Sequence, residues 1–271
     1  MNLTKAFQVI TFGLSTSMSG STLAATVYAV QWGSDNVYKI DGSTGVILDT
    51  FSGPGSTTMN AMCAAADGRI LIGGDSQSLF IFNPKTGLFE KSLPLSGISS
   101  QISIRSLALL SEDRIWATVG DAGSGIYEIN ASTGAGTLVR RISSALPQGL
   151  ARDPVNDIVY QARGIQIDTV DQVTGAPTFL TITDSFIGFQ ALDVFEGSLY
   201  GAEGSKIYKM NLSDGKIQSS LTVSGMSSIR GIYWIPEPSV SSLALISAIT
   251  VLCSRQRANR ISWLNDSQQK A

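Results

Sequence analysis

Long hydrogen-bonding side chains recur at five places in the chain, each followed by a small residue and then a large apolar one. The five triplets are Asn60-Ala61-Met62, Arg105-Ser106-Leu107, Gln148-Gly149-Leu150, Gln190-Ala191-Leu192 and Arg230-Gly231-Ile232. Amides and guanidinium groups bind hydroxyls and carboxylates, and arginine can hold a carboxylate through two parallel hydrogen bonds. The polar residues therefore predict a ring that binds a saccharide, or else a ring that bonds to the carbonyls of neighbouring strands.

Acidic residues recur at a second set of equivalent positions, in the short connections between the second and third strands of the repeats, which also hold glycine or alanine. These residues are Asp35, Asp75, Asp121 and Glu203. Four acids on one rim could hold Ca²⁺ through oxygen ligands. Aspartate and glycine are also ordinary turn residues, so both interpretations stay open at this point.

Catalytic chemistry finds little support in the residue types. The chain has no histidine, which removes the commonest general base, the usual Ser–His and Cys–His pairs and the usual zinc ligands. No carboxylate pair, metal-ligand run or nucleophile motif stands out. We therefore predict a binding protein without a cofactor. A polysaccharide hydrolase or lyase with a Ca²⁺-supported site is the alternative.

A five-fold repeat organises the segment that carries these residues. An Asx residue is followed four positions later by glycine, in Asp41–Gly45, Asn83–Gly87, Asn130–Gly134, Asp171–Gly175 and Asn211–Gly215. The glycines lie 42, 47, 41 and 40 residues apart. An Asx side chain that accepts from the following amides and a left-handed glycine are typical of a hairpin turn.

Short apolar runs surround each turn and predict four strands per repeat. This spacing indicates an all-β fold, a β-propeller with one blade per repeat. The count is five blades, with six as the alternative if the longer interval 87–134 hides another. The repeat segment begins with a second strand that has no first strand before it. It ends with a first strand that has no second strand after it, so pairing these two strands in one blade would close the ring. Asp168 is unusual, because the other four repeats carry an aromatic residue at that position.

The repeat motif, a strand with an aromatic residue followed by Asp-x-x-Thr-Gly, resembles the quinoprotein-like and NHL-like propeller repeats. The resemblance covers most of residues 26–235 and implies the fold. It does not carry over the quinone cofactor, because no docking tryptophan recurs in each blade. Trp32, Trp116 and Trp234 lie at unrelated strand positions.

Charge separates the body from the two ends of the chain. Residues 26–238 hold 14 Lys and Arg against 20 Asp and Glu, a net charge of −6, whereas the two ends are net +4. An acidic body is a poor binder of phosphate backbones, which argues against nucleic acid as a partner. Residues 1–25 combine Lys5, a mildly apolar run and an alanine-rich exit, which predicts a secretory signal peptide cleaved after Ala24 or Ala25.

The C-terminal end has three parts. Pro236-Glu237-Pro238 precedes an uncharged run that predicts a membrane helix at about 239–254, and Arg255, Arg257 and Arg260 follow. This order resembles the PEP-CTERM sorting signal of Gram-negative bacteria, over residues 236–260. The resemblance implies that an exosortase recognises the Pro-Glu-Pro motif after Sec export, and that the protein reaches the cell surface or biofilm matrix. A plain membrane anchor is the alternative.

These observations divide the chain into a signal peptide (1–25), a propeller domain (26–235), a sorting signal (236–260) and a short polar tail (261–271). Cys63 is the one cysteine of the propeller domain and is predicted to be a small buried apolar residue. We predict an exported surface or matrix protein whose propeller binds an extracellular saccharide or a protein partner.

Overall fold

The described residues of this computed structural model form twenty β-strands in five four-stranded antiparallel sheets. The structure describes residues 25–55, 57–99, 102–121, 124–143, 147–183 and 188–236. The predicted signal peptide up to residue 24 and the predicted sorting signal and tail from residue 237 lie outside the described residues. Within the described ranges, no helix is long and apolar enough to cross a membrane.

The strands are numbered in chain order. The first ten are β1 (Ala25–Gln31), β2 (Asn36–Asp41), β3 (Ile47–Ser52), β4 (Met59–Ala64), β5 (Ile70–Gly74), β6 (Ser78–Asn83), β7 (Leu88–Pro94), β8 (Ile102–Ser111), β9 (Arg114–Asp121) and β10 (Gly125–Asn130). The other ten are β11 (Gly136–Arg141), β12 (Gly149–Asp153), β13 (Ile158–Arg163), β14 (Gln166–Val170), β15 (Pro177–Ile182), β16 (Ala191–Phe195), β17 (Ser198–Glu203), β18 (Lys206–Asn211), β19 (Ile217–Thr222) and β20 (Ile229–Pro236).

Each sheet is one blade of a propeller. Blades 1 to 4 are β4–β7, β8–β11, β12–β15 and β16–β19, and the closing blade has the order β20-β1-β2-β3. The innermost strands β4, β8, β12, β16 and β20 contact one another in turn, and β20 contacts β4, which closes the ring. The prediction of five blades is confirmed. The six-blade alternative is wrong, because the long interval 87–134 contains the longer strands β8 and β9.

The ring is closed as the sequence predicted. Strand β1 pairs antiparallel with β20, so that Ala25 lies opposite Pro236 and Tyr28 lies opposite Tyr233. The closing blade thus takes its innermost strand from the end of the propeller segment and its other three from the beginning. Pairing with β20 covers the edge of β1 that would otherwise face the axis unpaired.

The Asx-to-glycine segments form the predicted hairpin turns between the third and fourth strands of each blade. In the first of them, the Asp41 Oδ1 accepts hydrogen bonds from the backbone N–H of Ser43 and Thr44 at 2.9 and 2.8 Å. The Ser43 hydroxyl and these amides lower the pKa of Asp41 to about 2. All five glycines have φ between 66° and 73°, the left-handed region that glycine tolerates best.

Candidate ligand-binding site at the channel mouth

The apolar residues of the five triplets fill the centre of the ring. They are Met62, Leu107, Leu150, Leu192 and Ile232, and each is at most 4% exposed. The small residue before each one makes room for a neighbouring blade: a Cβ added to Gly231 would lie 2.9 Å from the Cγ of Met62. The residual cavity measures about 10 Å³, the lower limit for one water molecule. The central channel of the propeller is therefore closed at this level. Its open end, where the innermost strands begin, is called the mouth.

Two arginines from different blades converge on one tryptophan at the mouth. Trp32 lies in the turn between β1 and β2, and its side chain is 48% exposed. The guanidinium carbons of Arg230 and Arg105 lie 4.9 and 5.8 Å from the centre of the Trp32 ring. Arg230 belongs to the closing blade, whereas Arg105 belongs to blade 2, two positions away around the ring. These three residues are called the arginine–tryptophan mouth.

Arg230 is held in place from one side only. Its Nη1 donates to the Oε1 of Gln190, whose Nε2 donates to the carbonyl of Gly188 at 3.0 Å. Its Nε is buried and has no hydrogen-bond partner among the described residues. Burial and the nearby charge of Arg105 lower the pKa of Arg230. Within the described ranges, neither arginine forms a salt bridge with a carboxylate. The mouth thus concentrates positive charge.

The structure brings only part of the predicted polar ring together. Arg105, Gln190 and Arg230 meet as described above, and Gln148 lines the residual cavity beside Arg230. Asn60 is turned away into blade 1, where it is 1% exposed and its Nδ2 donates to the Oδ1 of Asp75 at 2.9 Å. Its own Oδ1 has no partner among the described residues.

Two of the four acidic residues predicted for the rim, Asp75 and Glu203, accept hydrogen bonds from nearby groups instead. Asp75 also accepts a hydrogen bond from the hydroxyl of Ser103, and Glu203 accepts one from the backbone N–H of Gly188 at 3.2 Å. Asp35 is half-buried, and the side chain of Asp121 lies outside the described atoms. No three Asp, Glu, His or Cys residues lie close enough to hold a metal ion in the part of the chain that the structure describes.

Blade 3 has an ion pair where the other blades have an aromatic residue. Asp168 is fully buried and accepts hydrogen bonds from the Nε of Arg163 at 2.9 Å and the Nε2 of Gln161 at 2.8 Å. Gln166 also donates to it. Arg163 stands at the rim position that is acidic in the other blades, so the two departures from the repeat compensate each other in charge.

Comparison with known proteins supports the fold. No protein-family model and no curated protein sequence matches the chain. A chain of a nidogen/laminin complex is similar in structure, with 12% identity over 78% of this chain and 98% of that chain, at a TM-score of 0.50. A protein of unknown function from Bacteroides caccae matches with 13% identity over 79% and 100%, at a TM-score of 0.55. At these identities the similarity concerns the fold alone.

Trp32 is a site residue that the triplet pattern did not reveal. The sequence shows tryptophan at unrelated strand positions, and Trp32 has no counterpart in the other repeats. Trp32 was predicted at a strand position, but it lies in the turn that follows β1. The adjacent Gly33 was the available signal for a turn, where a large apolar side chain has little core to enter. The structure anchors this turn through a hydrogen bond from the Trp32 N–H to the carbonyl of Ser228 at 2.9 Å.

Proposed function

We propose that the propeller binds an acidic extracellular saccharide at the arginine–tryptophan mouth. The observation that carries this proposal is the convergence of Arg105 and Arg230 on the half-exposed Trp32 without a carboxylate partner in the described residues. The carboxylate of a uronic acid matches the fork of a guanidinium group in shape and charge. The apolar face of the sugar ring fits against an exposed indole, which supplies a large contact area at small entropic cost.

Charge gives the mouth selectivity. Two guanidinium groups close to each other repel, and an anion between them would relieve that repulsion and restore the depressed pKa of Arg230. The rest of the propeller segment is acidic, with a net charge of −6 over residues 26–238. Long polyanions such as nucleic acids would therefore be repelled beyond the mouth, whereas a short acidic saccharide meets mainly the two arginines.

Loss of either mouth arginine should weaken the binding of an acidic oligosaccharide. We expect Arg105→Gln and Arg230→Gln each to raise the Kd for trigalacturonate by about 10-fold or more, because a hydrogen bond to a charged group contributes about 1.5–3 kcal/mol. Isothermal titration calorimetry of the full chain, purified in mild detergent, measures this change. Fully methyl-esterified trigalacturonate keeps the sugar rings without the charge and should bind more weakly.

Lys91→Gln provides the matched control. Lys91 is an exposed cation on the outer strand β7 of blade 1, so its loss removes the same charge away from the mouth. This variant should leave the Kd within about two-fold, because salt screens the interaction of an exposed charge that does not contact the ligand. Equal weakening by all three substitutions, or equal affinity for the acid and its ester, would contradict the proposal.

We further propose that the protein is exported and then sorted to the cell surface or matrix by an exosortase. The support lies in the sequence: a leader at residues 1–25 with a positive charge, an apolar run and an alanine-rich exit, and Pro236-Glu237-Pro238 followed by an uncharged run and three arginines. The leader directs the chain to the Sec machinery. The uncharged run would hold the precursor in the membrane until the motif is recognised.

The double substitution Pro236→Ala and Pro238→Ala tests sorting. Because the recognition motif is lost while the uncharged run remains, unprocessed precursor should accumulate in the membrane fraction, as seen by its larger size on a blot. Replacing Pro177 with alanine removes a proline far from the motif and should leave processing unchanged. Normal processing of the double variant would rule out exosortase recognition.

A further inference from the structure

A second cleft lies between blade 4 and the closing blade, on the face of the ring opposite the mouth. Arg230 stands near the start of β20, whereas Trp234, which lines the cleft, stands near its end. The cleft has a volume of about 420 Å³, within the range of about 300–1,000 Å³ found for small-molecule sites. We infer that this inter-blade cleft binds a neutral sugar residue.

Three aromatic rings form the wall of the inter-blade cleft. Phe195 and Trp234 stack with their centres 5.6 Å apart and their planes at 17°, and Tyr200 packs against Trp234 at 4.4 Å. Trp234 is 6% exposed, whereas Phe195 and Tyr200 keep part of their surface open to the cleft. A partly exposed aromatic wall fixed by stacking suits the apolar C–H face of a pyranose ring.

The closing blade supplies the space that Trp234 needs. A Cβ added to Gly42 would lie 2.5 Å from both the Cζ3 of Trp234 and the carbonyl oxygen of Ala25. Gly42 follows the Asx residue of its turn, a position held by larger residues in the other four turns: Pro84, Ala131, Gln172 and Leu212. This turn therefore departs from the repeat at the position where the indole ring needs space. The departure indicates that the closing blade is adapted to hold Trp234 in the wall of the cleft.

Unengaged polar groups surround the aromatic wall. Tyr200 lies opposite Lys209, and Lys209 lies opposite Ser219, so these three side chains share one face of the blade 4 sheet. In the described ranges, the side chains of Tyr200, Lys209, Ser219 and Glu196 have no hydrogen-bond or ion-pair partner. Burial and the charge of Glu196 raise the pKa of the Tyr200 phenol, which remains a hydrogen-bond donor.

The balance of charge selects the kind of ligand. Lys209 and Glu196 both line the cleft and offset each other, so an anion gains no net attraction there, in contrast to the mouth. A purely apolar ligand would cover these polar groups without bonding to them, which costs free energy. The Nε1 of Trp234 is a further buried donor without a partner among the described residues. A neutral sugar combines hydroxyls for the polar groups with an apolar face for the rings.

Blocking the cleft tests this inference. The probes are the neutral disaccharides maltose, cellobiose and lactose, titrated into the full chain by calorimetry. We expect at least one of them to bind with a Kd of about 10 mM or tighter, and Ser219→Trp to weaken it by about 10-fold or more. Tyr200→Phe, which removes only the phenol hydroxyl, should weaken binding by a few-fold, since a neutral hydrogen bond contributes about 1 kcal/mol.

Thr178→Trp is the matched control, because Thr178 is an exposed hydroxyl residue on β15, the outermost strand of blade 3, just as Ser219 is on β19, the outermost strand of blade 4. It should leave the Kd unchanged, as should Arg230→Gln. No binding by any of the three disaccharides would overturn the inference. Weakening by Arg230→Gln but not by Ser219→Trp would also overturn it, because the sugar would then occupy the mouth.

Discussion

Replacing Asp168 by alanine is expected to lower the free energy of unfolding by about 2–4 kcal/mol, because three donors lose their acceptor and the half-buried Arg163 loses its counter-charge. Asp168 has no exposed surface, and Arg163, Gln161 and Gln166 all donate to it. Their donors would face a cavity without an acceptor. Urea denaturation followed by tryptophan fluorescence measures the change.

The same blade offers a control in a second arginine–aspartate pair. Arg152 and Asp157 lie 2.8 Å apart, but the Asp157 side chain is 67% exposed. Exposed pairs typically contribute less than about 1 kcal/mol. Asp157→Asn should therefore have a small effect, because asparagine removes the charge and still tolerates the left-handed backbone at this position (φ 56°). If the two substitutions lowered the free energy of unfolding by similar amounts, burial would not explain the contribution of the Asp168 pair to stability.

The second large effect is a dependence of stability on pH that comes from Asp193. Its side chain is half-buried between blade 4 and the closing blade, and desolvation of the carboxyl there raises its pKa to about 7. Its oxygens accept hydrogen bonds from the backbone N–H of Trp234 at 2.8 Å and of Val194 at 2.9 Å. The folded protein thus keeps a proton on Asp193 at a pH where the unfolded chain has lost it.

The sign follows from linkage between protonation and folding. Between the ordinary pKa of 3.8 and about 7, the folded state holds one more proton, so stability falls as the pH rises and then levels off above about 7. The full difference is on the order of 4 kcal/mol, at about 1.4 kcal/mol for each pH unit. The contribution is fully present only below about pH 4.

Histidine would normally obscure such a slope, but the chain has none. The groups beside Asp193 titrate elsewhere: burial raises the pKa of Tyr233 to about 12 and raises that of the Cys63 thiol. We expect the free energy of unfolding to decrease between pH 5 and 7 in the natural protein and to stay nearly flat in Asp193→Asn. Asp49→Asn, an exposed position on β3, should keep the slope. A flat profile of the natural protein would contradict the raised pKa of Asp193.

The repeat carried enough information to predict the fold, since each Asx turn and each pair of strands around it is local. The closure by β1 and β20 was also predictable, because the first and last strands were the two that lacked partners within their own repeats. Cys63, predicted to be buried, is 8% exposed and free. Local patterns suffice when every contact they specify recurs in each blade.

The binding surfaces were harder to predict, because they depend on contacts between blades. The triplets identified Arg105 and Arg230, but nothing in the spacing placed both guanidinium groups on Trp32. Asn60 shares its register with the arginines and still turns towards Asp75, since its shorter side chain finds an acceptor within blade 1. Residues that depart from the repeat, such as Trp32 and Gly42, indicated the candidate binding surfaces better than residues that follow the repeat.

The pairing of Ala25 with Pro236 has a consequence for how the domain is presented. Both ends of the propeller segment leave the ring at one point, about 20 Å along the strands from the start of β20. A tether attached to either end holds the domain by the face of the ring that lies opposite the mouth. The arginine–tryptophan mouth is then turned away from the surface that carries the tether, and a saccharide in solution can reach it without passing that surface.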